Sequence, residues 1–231
     1  MRWRLAASKC AFWALIQLPD LDCPMALPLS IPVITLAECN VFPHALLPLN
    51  IYEPRYREML AEALRTDRFM AVASLRVADE DEAWDESEAN IDGFSCAGLL
   101  RACVGQPDGS SRLILQGVGR IRFAGWLQRT PFRIARCEPV VSEIGDLKVA
   151  QDMAQQALDR ARSSLPGGSP FAAQFDKQFG SLHDPEVIAD VVGYNFLSRA
   201  SDRQPLLGMS RVEDRLEYIL NRLGVAFPAA E

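Results

Sequence analysis

Apolar and polar positions along the chain fall into two regimes. Between residues 27 and 140 the apolar positions form short continuous or alternating runs: IPVITL (31–36), LLPLNI (46–51), FMAVASLR (69–76), FSCAGLLRACV (94–104), RLILQGV (112–118), RIRFAGW (120–126) and FRIARCEPVV (132–141). Runs of this length, rich in β-branched and aromatic residues and bounded by turn residues, predict strands. QPDGSS (106–111) contains Pro-Asp-Gly, a hairpin turn signal. Many short strands at this spacing predict a closed or folded-over antiparallel sheet. One helix interrupts them. EPRYREMLAEALRT (53–66) offers Glu53 as N-cap and Pro54 at the first helical position, with Tyr56, Met59, Leu60, Ala63 and Leu64 on one face.

From about residue 145 the period becomes helical. Leu147, Ala150, Ala154, Leu158, Ala161 and Leu165 share a stripe, and PGGSP (166–170) ends it. Phe171, Phe175 and Phe179 recur every four residues, a spacing that predicts a core-facing stripe. Asp184-Pro185-Glu186 supplies a cap, a first-turn proline and an acid matched to the helix dipole. Ser210-Arg-Val-Glu213 reads as a capping box for a last helix facing inward through Val212, Leu216, Ile219, Leu220 and Leu223 and ended by Gly224. The expectation is therefore α+β: a β-rich unit over 25–143 and a helical bundle over 144–231, joined near Ser142–Asp146. DEDEAWDESEANID (79–92) carries eight acids and is expected to be a solvated loop.

Composition narrows the function classes. With 231 residues, 49% apolar and 23% charged, the chain can bury a sizeable core. It holds no apolar run near the length that spans a bilayer. The net charge of −6 argues against non-specific nucleic-acid binding, which depends on neutralising phosphates. The six cysteines never form C-x-x-C, and His44 and His183 lie far from any cysteine pair, so no zinc site is expected. Scattered thiols in a chain this long predict buried cysteines in a reducing cytoplasm. Residues 1–24 combine Arg2 and Arg4 with a short apolar patch but fit an export signal poorly. The expected native start is Met25, with residues 1–24 a non-native or disordered extension and a weak export signal the alternative.

Candidate chemistry is sparse. G-x-x-x-x-G-K-[ST], G-x-S-x-G and H-E-x-x-H are all absent, so neither a phosphate-cradling loop, a nucleophile elbow nor a zincin helix is present. The densest stretch is VFPHALLPLNIYEPRYREML (41–60). Its His44 and Glu53 could be a base and its partner, but a histidine between Pro43 and Ala45 reads as a turn residue. GRIRFAGWLQRTPFRIARC (119–137) offers a second possibility. It places Arg120, Arg122, Arg129, Arg133 and Arg136 among Phe123, Trp126 and Phe132 without an acid, the mixture that single-stranded RNA recognition uses. The same alternation is also that of a strand with one wet face.

The stretch LPLSIPVITLAECNVFPHALLPLNIYEPRYREML resembles the start of the Lon protease N-terminal, substrate-binding domain. That family shows a strand, a Phe-Pro turn, a Leu-rich strand and a helix opened by Glu-Pro-Arg-Tyr. Here these are Phe42-Pro43, Leu46 to Leu49 and Glu53-Pro54-Arg55-Tyr56. The family's paired strands, with a Gly opening one and a Gly-x-x-Arg stretch followed by an aromatic, map to Gly98, Gly117, Arg120 and Phe123. The resemblance covers about 27 to 224. It implies a PUA-like β-barrel followed by an α-helical bundle, and a stand-alone bacterial substrate-binding domain without ATPase or protease modules. It implies a non-catalytic, cofactor-free role: binding unfolded or degron-bearing polypeptide in the cytoplasm, beside the protein-quality-control machinery. Expected contact residues are Phe42, Pro43, Leu47, Tyr52 and Arg55. The alternative is RNA binding through Arg120, Arg122, Trp126 and Arg133.

Overall fold

A computed structural model describes residues 26–76 and 87–223. The expectations about residues 1–24, the start at Met25, Gly224 and most of the acidic stretch 79–92 lie outside those residues.

The strands form where the apolar runs predict them: β1 (Ser30–Ala37), β2 (Leu46–Ile51), β3 (Phe69–Leu75), β4 (Phe94–Gly105), β5 (Ser111–Gln128) and β6 (Arg133–Pro139). Helix α1 (Pro54–Arg65) lies between β2 and β3, and a single 3-10 turn spans Glu88–Asn90. The two runs around Gly119 are one 18-residue strand, β5, not two. Its length has a structural use. The first part pairs with β2 and β4, and the second part pairs with β6. The sheet order is β2-β5-β4-β3-β1-β6, with β6 returning to β5, so the sheet folds over on itself. The folded-over sheet of the α+β expectation is present, but it is mixed and not antiparallel throughout. β1 and β3 run parallel, because the chain crosses from one to the other through β2 and α1.

Alternation divides the strands between two cores. Ile31 and Val33 of β1 join Phe69, Ala71, Ala135 and Ile121 inside the folded sheet. Ile34, Met70 and Val72 face the other way and pack with α1 and the helices. β3 is buried at all seven positions because both of its faces are covered.

The helical part follows: α2 (Leu147–Ser163), α3 (Pro170–Phe179), α4 (Pro185–Phe196), α5 (Ala200–Gly208) and α6 (Val212–Leu223). Asp146 caps α2 by accepting from the N–H of Lys148 at 2.9 Å and Val149 at 3.1 Å. The buried side of α2 is mostly alanine, which lets its axis approach α4 and α6 closely. Phe175, Phe179 and Phe196 form a buried aromatic group with ring centroids 4.7 and 5.8 Å apart. Phe171, the first residue of that stripe, is 40% exposed.

Three helix expectations are corrected. Glu53 stands at the N-cap of α1 but makes no side-chain cap; Pro54 alone presets the start. The capping box at Ser210 does not form. Instead the Glu213 carboxylate reaches across to the N–H groups of Gly145 at 2.7 Å and Asp146 at 2.8 Å, tying the start of α6 to the start of α2. These donors, Asp146 foremost, hold the Glu213 carboxyl below its usual range. Finally, α5 has no counterpart in the sequence reading, because Pro205 and a polar start hide it.

The transition from strand to helix falls between Pro139 and Leu147, around the expected join. The larger core nonetheless runs through both parts, from Tyr56 and Leu115 to Leu158 and Leu216. Phe42 of the β part stacks near Tyr194 of α4 at 5.9 Å. Gln204 of α5 donates to the Phe94 carbonyl and accepts from Asn40, both at 2.7 Å.

Candidate functional site

The stretch 41–60 folds as a corner seated on β5. Its turn is fixed by two backbone bonds: His44 donates to the Gly117 carbonyl at 3.0 Å, and Gly117 donates to the Ala45 carbonyl at 2.9 Å. His44 takes a left-handed φ of 65°, where histidine is more common than most non-glycine residues. Position 117 must be glycine. A Cβ there would stand 1.9 Å from the Phe42 carbonyl oxygen. That contact explains why this glycine belongs to the motif identified in the sequence.

Beside this corner, between the β part and α4, lies a groove of about 440 Å³. Pro43 and His44 form one wall, Val118, Gly119 and Arg120 of β5 the floor. Val140, Val141 and Ser142, which lead out of β6, form the far side, and Asp184, Glu186 and Val187 close it from the start of α4. The lining mixes aliphatic side chains with charged and polar ones. Val141 is 69% exposed, an aliphatic side chain held in solvent at the mouth.

Beneath the groove sits a buried ionic cluster. The side chains of Arg120 and Arg215 are 2% and 1% exposed, and Asp190 between them is 1% exposed. Arg120 pairs with Asp190, and Arg215 Nη1 approaches the same carboxylate at 3.1 Å. Glu186 Oε1 lies 3.6 Å from Arg120 and 3.8 Å from Arg215. Ser142 accepts from Arg215 at 2.8 Å and donates to Glu186. Burial lowers the pKa of Arg215, the neighbouring Arg120 lowers it further, and Asp190 and Glu186 oppose both. One strand, two helices and the connecting segment thus meet at one set of charges, two positive and two negative.

The expected contact residues separate. Pro43 lines the groove, and Phe42 lies behind it fully buried, so Phe42 is a core residue and not a contact surface. Leu47 is half-buried against the main core. Tyr52 and Arg55 stand at the far end of β2, roughly 20 Å along the strand from the corner. Tyr52 is 57% exposed, so it does not pack at the junction of sheet and helix as Tyr56 does. Tyr56 shares a 2.7 Å hydrogen bond with the hydroxyl of Thr35. Arg55 bonds Glu53 at 2.9 Å and lies over the Tyr56 ring. No hydrogen bond or ion pair joins His44 to Glu53 among the described residues.

Most charged and aromatic residues of the arginine-aromatic stretch are engaged within the protein, with Arg136 left exposed. Arg120 is the buried hub described above; its side of β5 is covered by α4 instead of facing water. Arg122 pairs with Glu138, the residue that follows the stretch, and Arg129 with Glu88, 41 positions earlier. Arg133 lies 5.6 Å over Trp126, and Trp126 packs on Phe123 beside the inner core. Phe132 is buried.

Among the described residues there is no cluster of metal-ligating side chains and no helix long and apolar enough to cross a membrane. Cys39, Cys96, Cys103 and Cys137 are all free. Burial pushes the Cys39 thiol up to about 11 and the Cys96 thiol up to about 12, so neither is a ready nucleophile. The residues that sequence reasoning missed are Asp190, Glu186 and Arg215. Their charge on otherwise apolar helix faces was the available signal.

The fold and its relatives agree. The chain superposes on the N-terminal domain of the Mycobacterium avium complex Lon protease with a TM-score of 0.67 and 16% identity, covering 86% of this chain and 100% of that one. A Lon N-terminal domain protein from Xanthomonas campestris gives 0.57 at 16% identity, covering 83% and 97%. In sequence, the chain is 27% identical over 194 residues to Lon protease 2 of Thermus thermophilus, covering 84% of this chain and 24% of that protein. It is 22% identical over 195 residues to the Lon protease of Escherichia coli K12, covering 83% and 24%. The chain therefore spans about a quarter of the length of these relatives. The family model of the ATP-dependent protease La (LON) substrate-binding domain matches residues 30–224, and the chain belongs to that family.

Proposed function

We propose that this chain is a polypeptide-binding module that takes unfolded or degron-bearing segments and neither cleaves them nor hydrolyses ATP. The observation that supports this most directly is the groove at the junction of the β part and α4. It is open to solvent, mixes aliphatic with charged side chains, and is edged by the exposed Val141. An extended segment can lay one apolar side chain into such a groove while its backbone stays hydrated at the rim. Pro43 is the one expected contact residue that lines it. Membership of a substrate-binding family and the absence of a P-loop or nucleophile elbow support the same reading. The free thiols fit a reducing, cytoplasmic setting among protein-quality-control components.

Binding by a single copy should be weak, on the order of micromolar, because a flexible client loses conformational entropy on docking. The test is fluorescence anisotropy of a labelled unfolded protein and a labelled single-stranded RNA at low and high salt. Polypeptide binding that survives high salt is the expected result, since apolar contact is little screened. Salt-sensitive RNA binding with no polypeptide response would refute the proposal.

A further inference from the structure

Building on that reading, we infer that the groove selects client segments in which an apolar side chain stands beside a lysine or arginine. The reason is what solvent meets at its mouth. Four charged or titratable residues line it: His44, Arg120, Asp184 and Glu186. Arg120 is 2% exposed and held by Asp190 and Glu186, so its charge is already compensated within the protein. Asp184 is exposed, and among the described residues no cation pairs with it. The Glu186 side chain is 35% exposed at the same mouth, but its carboxylate is already shared by Arg120, Arg215 and the Ser142 hydroxyl. A client therefore meets apolar side chains and one carboxylate without a cation partner, Asp184. A basic residue flanking the docked apolar side chain gains attraction there, and an acidic one is repelled. The net charge of −6 adds to the same bias at long range.

Asp184 gives a clean probe. It caps α4 by accepting from the Glu186 N–H at 2.8 Å. Asparagine caps about as well as aspartate, so Asp184→Asn removes the charge and keeps the helix start. The experiment uses the full chain and three labelled peptides that share one Leu-Leu-Phe centre, flanked by Lys, Gln or Glu. Anisotropy is read at low and high salt. The expected order is Lys tightest and Glu weakest, with roughly two- to fivefold between them at low salt, the range for partly exposed charge pairs. High salt and Asp184→Asn should each narrow that gap. Equal affinities for the Lys and Glu peptides would overturn the selectivity while leaving polypeptide binding in place. An unaltered gap in Asp184→Asn would overturn the assignment to this mouth. Failure of all three peptides, together with a labelled unfolded protein, would overturn the underlying reading as well.

Discussion

Asp190→Ala should be among the most damaging single substitutions in the chain. Asp190 is 1% exposed and faces two guanidinium groups that are equally buried, one of them at 3.1 Å. Once it is removed, only Glu186 remains, at 3.6 and 3.8 Å and with its side chain partly in solvent. Two cations then share one distant anion in a dry site. Removing one member of a buried pair costs about 3–5 kcal/mol, because the other charge is left uncompensated. That is at least about a fifth of the roughly 5–15 kcal/mol that holds a domain folded. At about 2–4 °C per kcal/mol for a chain of this size, the melting temperature should fall by about 6–20 °C. Urea unfolding followed by circular dichroism measures the loss directly, with the m-value checking that the denatured state is unchanged. The triple variant Arg120→Met, Asp190→Leu, Arg215→Met should recover much of the stability, since apolar side chains can replace a buried ionic group without a stranded charge. A loss below about 1 kcal/mol in Asp190→Ala, as for an exposed pair, would refute the reasoning. So would a triple variant no better than the single one.

Gly117→Ala should cost about 3 kcal/mol or more by thrusting a Cβ 1.9 Å from the Phe42 oxygen, whereas Gly167→Ala, with open space around it, should be neutral; denaturation midpoints decide. Pro54→Ala should lose up to about 1 kcal/mol by loosening the unfolded chain, and His44→Ala about 1 kcal/mol because alanine fits the left-handed φ of 65° less well than histidine, both read from the same curves. The Cys96 thiol is raised from 9.0 to about 12 by burial, so the unfolded chain releases its proton first. Stability should be fully present below about pH 9 and fall as pH rises toward 12, by up to about 1.4 kcal/mol per unit for this thiol. Cys96→Ala should flatten that alkaline slope, and an unchanged slope would show that the thiol is not held neutral.

Much of the fold was legible because apolar runs and turn residues act locally. β2 spans LLPLNI as expected, and the Pro-Asp-Gly turn holds Gly109 at a φ of 80°. What was not legible depended on partners distant in sequence. Arg120 looked like a wet-face residue because the strand alternates, yet its face is covered by a helix 70 positions later that brings Asp190. Glu213 satisfied a local capping pattern but is used by Gly145 and Asp146. The parallel pairing of β1 and β3 came from a crossover that no period reveals. The corner at 41–60 was recognised as a fold signature, but its role at the candidate site was only half visible. Pro43 reaches the groove; Phe42 supports it from the core; Tyr52 and Arg55 belong to the opposite end of β2. The groove itself needed α4 to exist, and no local pattern brings α4 to the corner.

The central claim is that clients dock in the groove between the β part and α4. The most direct test places a lysine at its mouth. Val141 is 69% exposed, so Val141→Lys should leave the circular dichroism spectrum and the unfolding midpoint unchanged. Leu127, 55% exposed and about 20 Å or more away along β5, provides Leu127→Lys as a matched control. In anisotropy titrations with a labelled unfolded protein, Val141→Lys should weaken binding about tenfold, the loss of one buried aliphatic contact. Leu127→Lys should bind like the parent protein. Equal binding by all three proteins, or loss confined to Leu127→Lys, would contradict the account.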